Sequence, residues 1–419
     1  MFLYRATVIT VFITLRILLQ FSGISEYLVH QQILSTPLTS QLRIREALSL
    51  IQRGQSPYDA DILHETPIVI ALLTFFTNLS DKYGMFILFL MLDILTGLIL
   101  VRGIELQREL QKKQEKKIVN TDSDSTIEEI WKMLQLQPDE SWESDKYISL
   151  YFLNPLTLLV SATQSSVIFH NFIFALAFHS SLKRSPTTPI YLAIATYLNL
   201  YSIFLTMPFI LIHRAWRKGS VILFLSLYSI SLICLLLVSN AVCGDWSFVN
   251  SVYGCLLTVS DYTPNLGLFW YFFMLTFLHF NLFFIVVFQL IIPSLLILLT
   301  CRFHKDPCFL LYTTVSIICI FKSYPSLGDA IIPLLLAFSW SHVFPCLKQV
   351  LIVLGLFIAT CTLLPGFYFL WMYSGFGNAN FFFALSLVYS LAHLFFVTDM
   401  IRAYLSREKF TDYCVTNNS

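Results

Sequence analysis

The sequence predicts an all-α, multi-pass membrane protein, and three observations carry that prediction. Of the 419 residues, 57% are apolar and only 12% charged, about half the charged share of a soluble domain. Apolar runs recur along the chain at the roughly 20-residue length that a helix needs to cross hydrocarbon. Residues 269–288 contain ten aromatic side chains and no charge, with His279 the only ionisable group. A helix apolar on every side has no wet face to offer, so it belongs in lipid or deep in a bundle. Its aromatic surfaces would suit acyl chains, or would form an ordinary buried span with an interfacial belt.

Taken in order, residues 6–22 form the first span, interrupted by Arg16. No small-residue cleavage site follows it, so it reads as a retained helix. Residues 23–83 form a long mixed segment. It holds an amphipathic piece at 42–51 and an apolar run at 68–76 too short to cross, hence re-entrant or interfacial. A firm span follows at 84–103. Residues 104–145 are the one extended charged segment, a solvent loop that is partly helical or disordered. Further spans fit 147–162, 165–182, 187–201, 202–213, 219–241, 275–300, 308–321, 329–345, 350–370 and 380–402, leaving 403–419 as a tail. Pro155, Pro208 and Pro293 break several of them, which neighbouring helices make tolerable. The count is about twelve in a single membrane domain.

Charge sets the orientation. With the N-terminus cytosolic, twenty of the 26 Lys and Arg fall on the cytosolic side. The luminal set is Arg43, Arg45, Arg53, Lys82 and Lys322. That asymmetry obeys the positive-inside rule and makes 104–145 and 403–419 cytosolic and 23–83 luminal. The sequon at Asn78 is then luminal, close to the bilayer. A net charge of +1 is neutral on nucleic acid, and no basic block is large enough to suggest such a partner. Nine cysteines show no metal-ligand spacing. Cys243 and Cys255 would pair in a luminal loop, or remain two free thiols.

Few residues offer chemistry. Four polar segments share the luminal face: 56–58 with 64–67, 261–265, 322–325 with Gly328 and Asp329, and 377–380. Their convergence would make a polar mouth above an aromatic cavity, although luminal loops are polar in any case. Arg16 and Asp93 are each costly in hydrocarbon unless paired, so a structural salt bridge between the first two spans is expected, with a relay as the alternative. His170, His279 and His393 read as hydrogen-bonded core histidines, with phosphate contact the other option for His279. His64 and Glu65 are adjacent in sequence, which identifies no catalytic pair, and no nucleophile motif is present.

Five ordered blocks then resemble a known family. SPYDADILHETP at 56–67, Leu153-Asn154-Pro155, DYTPNLGLFWYFF with HFNLFFIVVFQ, FKSYPSLGD and NANFFFAL are similar to the subunit U family of glycosylphosphatidylinositol (GPI) transamidase. The resemblance implies a fold like the multi-span lipid-linked glycosyltransferases (GT-C-like) and residence in the endoplasmic-reticulum membrane. It further implies a non-catalytic subunit that holds the lipid part of GPI and organises the complex, without a cofactor or metal. The implied partners are subunits K, T and S and the GPI-anchor attachment protein, with the transfer performed by a cysteine-protease subunit. GPI contact carries over to Asn378, Asn380, Asn281 and Phe283, where Asn281 stands in place of an expected Ser. Phospholipid headgroups fall to Arg217, Lys218 and Lys305, which equally serve as positive-inside anchors.

The alternative is a GPI mannosyltransferase using dolichol-phosphate-mannose. Such enzymes carry paired acids after the first span, whereas residues 22–32 hold Glu26 alone. A transporter or scramblase would need internal repeats, and none is evident.

Overall fold

Prolines mark where many helices begin, because the first helical position needs no backbone N–H and proline presets its φ. Pro67, Pro155, Pro189 and Pro307 all sit in such positions. In the computed structural model, residues 2–59, 62–80, 83–118, 142–216 and 221–416 are described, and they form helices and no strand.

The first part of the chain gives α1 (Phe2–Phe21), α2 (Ile24–Val29), α3 (Gln41–Gln52), α4 (Pro67–Leu79) and α5 (Gly84–Ile118). After the charged loop come α6 (Trp142–Phe152), α7 (Pro155–Ala162), α8 (Val167–Leu182), α9 (Thr188–Leu198), α10 (Thr206–Trp216) and α11 (Val221–Cys243). Short pieces α12 (Ser247–Val249) and α13 (Cys255–Thr258) lead to α14 (Phe269–Leu275), α15 (Leu278–Gln289) and α16 (Ile291–Phe303). The chain ends with α17 (Pro307–Phe321), α18 (Ile331–Phe338), α19 (Val350–Met372) and α20 (Ala379–Thr416). Among the described residues, six helical segments are long and apolar enough to cross a membrane: α1, α5, α11, α15 with α16, α19 and α20. Shorter apolar helices such as α4, α8, α9 and α17 pack among them.

The expected elements mostly appear, with informative departures. The amphipathic piece is α3, and its Ile44, Ala47 and Leu48 are buried against α4 and α5. The second long span does not stop near residue 103; α5 continues to Ile118, so the start of the charged loop is helical. Residues 119–141 lie outside the described set. The tail from 403 is likewise a continuation of α20 as far as Thr416. The run at 329–345 is not one helix but a 3₁₀ turn, the eight-residue α18 and a second 3₁₀ segment.

The aromatic run at 269–288 corrects the single-helix reading. Thr276 and Phe277 are both extended, with ψ of 139° and 138°. Beyond them the chain doubles back: Phe272 lies 5.0 Å from Phe284 and 4.9 Å from Phe288, ring to ring. In a continuous helix, residues 272 and 284 would be roughly 18 Å apart. The break partitions the rings. Phe269, Trp270 and Phe273 of α14 are buried, whereas α15 is half-buried at most: Phe284 and Phe288 fold back onto α14 while Phe280 and Phe283 face outward.

A second correction concerns Arg16. It is fully buried, but it forms no ion pair with Asp93, and all three guanidinium nitrogens lack a hydrogen-bond partner. Asp93 instead accepts from the Ser161 hydroxyl, and the Arg16 guanidinium lies 5.5 Å from the centre of the Phe86 ring. The tightest interior packing surrounds α5. A Cβ added at Gly97 would come within 2.6 Å of Tyr151 and Phe152 ring atoms, and one at Gly103 within 2.7 Å of Phe178. Small residues at these two positions let α6 and α8 approach closely.

Candidate functional site

Three of the four polar segments converge, and α3 gathers them. Arg43 reaches out to Asp261 at 2.6 Å. Asp261 in turn donates its backbone N–H to the Tyr324 hydroxyl at 3.2 Å. From the first segment, Tyr58 donates to the Glu65 carbonyl at 3.0 Å, while Ser251 donates to the Tyr58 carbonyl at 3.1 Å. His64 Nδ1 is 2.7 Å from the Ser251 carbonyl, which can only accept, so that nitrogen carries the proton. Nε2 therefore faces the Cys255 thiol, 3.9 Å away, as an acceptor. Ser166, at the start of α8, donates to Glu65. Lys322 and Asp329 form a 2.6 Å ion pair with side chains only 9% and 10% exposed.

His64, Glu65, Ser166, Tyr324, Lys322 and Asp329 line a cavity of about 60 Å³, which shares His170, Asn199, Lys322 and Asp329 with an adjoining one of about 30 Å³. Volumes of this size admit a few ordered waters. His170 hydrogen-bonds Ser202 at 2.7 Å, as expected of a core histidine. The arrangement is a polar knot that ties loops distant in sequence, with little room for a substrate beside the His64–Cys255 contact.

Electrostatics within the knot are uneven. Burial disfavours imidazolium at His64, but the Cys255 and Ser251 contacts outweigh it, and the residue sits above its usual range. Burial pushes the Cys255 thiol up, yet His64 and Tyr324 more than reverse that. Asp261 is held below the ordinary carboxylate range: burial opposes this, while Thr263 and Arg43 prevail. Burial raises Glu65 to about 7 against the opposing hydrogen bonds of Ser166 and Thr66. Since the folded value exceeds the unfolded one near 4.5, Glu65 stabilises the fold below about pH 4.5 and that contribution is lost as pH rises through 7. Glu65→Gln should therefore flatten the pH dependence of the thermal midpoint between pH 5 and 8. At pH 8 it should be the more stable protein, by up to about 3 kcal/mol. Parallel curves for the two proteins would refute this.

The fourth polar segment stands apart, at the head of α20. Asn378 and Asn380 are exposed, and Asn378 Oδ1 accepts the Asn380 N–H at 3.2 Å. Beside them rises an aromatic wall. Trp270 lies 6.0 Å from Trp371 and 5.8 Å from Phe383, and Tyr271 lies 4.6 Å from Phe383. Through these rings α14 and the start of α20 meet. Asn281 and Phe283 are on α15, past the break. Asn281 donates to Tyr262 at 3.3 Å while its carbonyl oxygen is buried without a partner, and Phe283 is 63% exposed.

The remaining expectations divide. His279 is not a core histidine; it is exposed, with its ring 4.0 Å from that of Phe280. His393 is buried, but its Nε2 has no hydrogen-bond partner and the ring packs against Phe357 and Tyr389. Cys243 and Cys255 are both free thiols. Lys305 is exposed in the turn between α16 and α17, whereas Arg217 and Lys218 lie outside the described residues. Sequence reading missed Ser166 and Ser251, whose types and neighbours carry no local signal.

Fold and site together define a multi-pass, all-helical membrane protein with a closed polar knot and an open aromatic wall capped by amides. The family model described as GPI transamidase subunit PIG-U matches residues 10–389. The GPI-anchor transamidase component PIGU of Homo sapiens is 30% identical over 415 residues, covering 96% of this chain and 94% of that protein. The GPI transamidase component GAB1 of Saccharomyces cerevisiae is 32% identical over 378 residues, 89% and 87% of the two chains. The chain belongs to the GPI transamidase subunit PIG-U family.

Proposed function

We propose that this chain is the non-catalytic membrane subunit of a GPI transamidase in the endoplasmic-reticulum membrane, where it holds the lipid part of GPI and organises the other subunits. The observation that carries this reading is the pairing of Asn378 and Asn380 with the aromatic wall, in a chain of this family. Neutral amides offer donors and acceptors to inositol and glycan hydroxyls. The rings of α14, α15 and α20, with Phe381 and Phe283 exposed, offer acyl chains a broad apolar surface. Asn281, on α15, adds a buried carbonyl oxygen without a partner. The partners are subunits K, T and S and the GPI-anchor attachment protein. On the cytosolic side, Arg217, Lys218 and Lys305 meet phospholipid headgroups. Six long helices and the shorter apolar ones fit a twelve-crossing, GT-C-like arrangement.

The test is affinity purification of the tagged chain from microsomes in mild detergent, followed by mass spectrometry of proteins and lipids. Recovery of a cysteine-protease subunit together with GPI is expected. Purification alone, accompanied by mannosyl transfer from dolichol-phosphate-mannose, would overturn the reading in favour of an enzyme.

A further inference from the structure

A third cavity, separate from the polar knot and the aromatic wall, lies where the C-terminal end of α1 meets α3 and the α4–α5 turn. Its volume is about 340 Å³. Among the described residues, the polar lining consists of Gln20, Arg45, Ser49, Gln52, Thr77 and Gln164, without a carboxylate. Met85 and Phe86 form an apolar side.

Three features bias this cavity towards an anion. Arg45 is its one charged residue, exposed and without an ion pair among the described residues. A second positive charge lies on the α1 side: Arg16 is one helical turn before Gln20, and residues four apart share a helix face. Its guanidinium rests against Phe86, the same ring that walls the cavity, and has no hydrogen-bond partner. Asp93 does not neutralise it by direct contact, being engaged by Ser161. A buried guanidinium in this condition is costly, and a nearby anion would relieve that cost.

The third feature is a directed amide chain. Gln41 donates to Gln164, and Gln164 Nε2 donates to Gln20 Oε1 at 3.0 Å. The Gln20 carbonyl is thereby used, leaving its NH₂ group to offer. Gln164 holds this position with φ of 50°, a left-handed conformation uncommon for a residue with a side chain. Such strain persists where surrounding structure imposes it, and here the two flanking amides do.

We propose that this cavity binds a phosphate-bearing headgroup. Arg45 supplies a planar fork suited to phosphate oxygens. Gln20 and Gln52 supply neutral amide donors for the remaining oxygens, while the Ser49 and Thr77 hydroxyls, which donate to the Glu46 and Leu73 carbonyls, keep lone pairs to accept from headgroup hydroxyls. The apolar side at Met85 and Phe86 accommodates the start of a lipid backbone. A bare carboxylate would fill only a fraction of 340 Å³ and leave most of these donors unused.

The test uses the delipidated full chain in mild detergent, titrated separately with phosphatidylinositol and phosphatidylcholine and read by native mass spectrometry. Wild type should retain phosphatidylinositol in preference to phosphatidylcholine, and Arg45→Gln with Gln52→Ala should weaken that retention about tenfold. Both positions are exposed, so the lipid-free thermal midpoint should not change. Displacement by soluble inositol 1-phosphate would identify a free phosphate ester as sufficient; resistance to it would identify the intact lipid as the source. Equal retention by wild type and variant, or equal binding of the two lipids, would overturn the proposal. Arg16→Gln gives a second reading: it should weaken phosphatidylinositol binding although it touches no solvent, and unchanged binding would remove the second-charge argument.

Discussion

Lys322→Ala is expected to lower folding stability by about 3–5 kcal/mol, the cost typical of leaving one member of a buried ion pair without its partner. The Lys322 ammonium and the Asp329 carboxylate are 2.6 Å apart, and both side chains are about nine-tenths buried. Asp329 has a second duty: it accepts from the Ser326 N–H at 2.8 Å and hydroxyl at 2.9 Å, which starts the turn leading into α18. Removing Lys322 leaves that carboxylate facing His170 and a cavity sized for a few waters. The double variant Lys322→Met with Asp329→Asn should recover most of the loss, because the amide is neutral yet its oxygen still accepts from Ser326. Thermal unfolding in one fixed detergent would measure all three proteins. A neutral single variant would mean that water supports Asp329, and the knot would then be a wet site rather than a structural tie.

Much of this architecture was legible in the sequence because it depends on local pattern. The amphipathic pattern at 42–51 corresponds to α3, and the apolar run at 68–76 lies within the 13-residue α4. The ordered blocks identified the family. What stayed hidden depends on contacts distant in the chain. His64 meets Ser251 and Cys255 across about 190 residues, with no spacing to announce it. The break at Thr276 and Phe277 has neither glycine nor proline; it lets Phe284 and Phe288 of α15 fold back onto the rings of α14, a contact distant along a helix and unmarked in the sequence. Arg16 and Asp93 were paired on the argument that hydrocarbon forbids lone charges. Asp93 satisfied that argument with a serine hydroxyl, which composition could not reveal. Of the Asn378, Asn380, Asn281 and Phe283 set, the fold keeps the first two together and places the others beyond a break that the sequence does not mark.

Asn378→Ala combined with Asn380→Ala should reduce GPI transfer by the complex about tenfold while leaving its assembly intact. Two neutral hydrogen bonds to a headgroup contribute roughly 1–3 kcal/mol together, which spans that factor. The competing explanation is local unfolding, since Asn378 Oδ1 also holds the Asn380 N–H at 3.2 Å. Losing that bond costs at most what a helix cap does, about 0.5–2 kcal/mol, at the free end of a 38-residue helix. Asn380→Ala alone separates the two effects: it removes one ligand amide but keeps the Asn378 contact, which uses the backbone of residue 380. If headgroup contact matters, the single variant should already lose part of the transfer with α20 unchanged. Phe283→Ala provides the apolar counterpart. Being 63% exposed, Phe283 contributes little to the fold, so a fall in transfer there would report contact with the acyl chains. Normal transfer in the double asparagine variant would remove the amides from the site and leave the aromatic wall as a surface for membrane lipid or a partner helix.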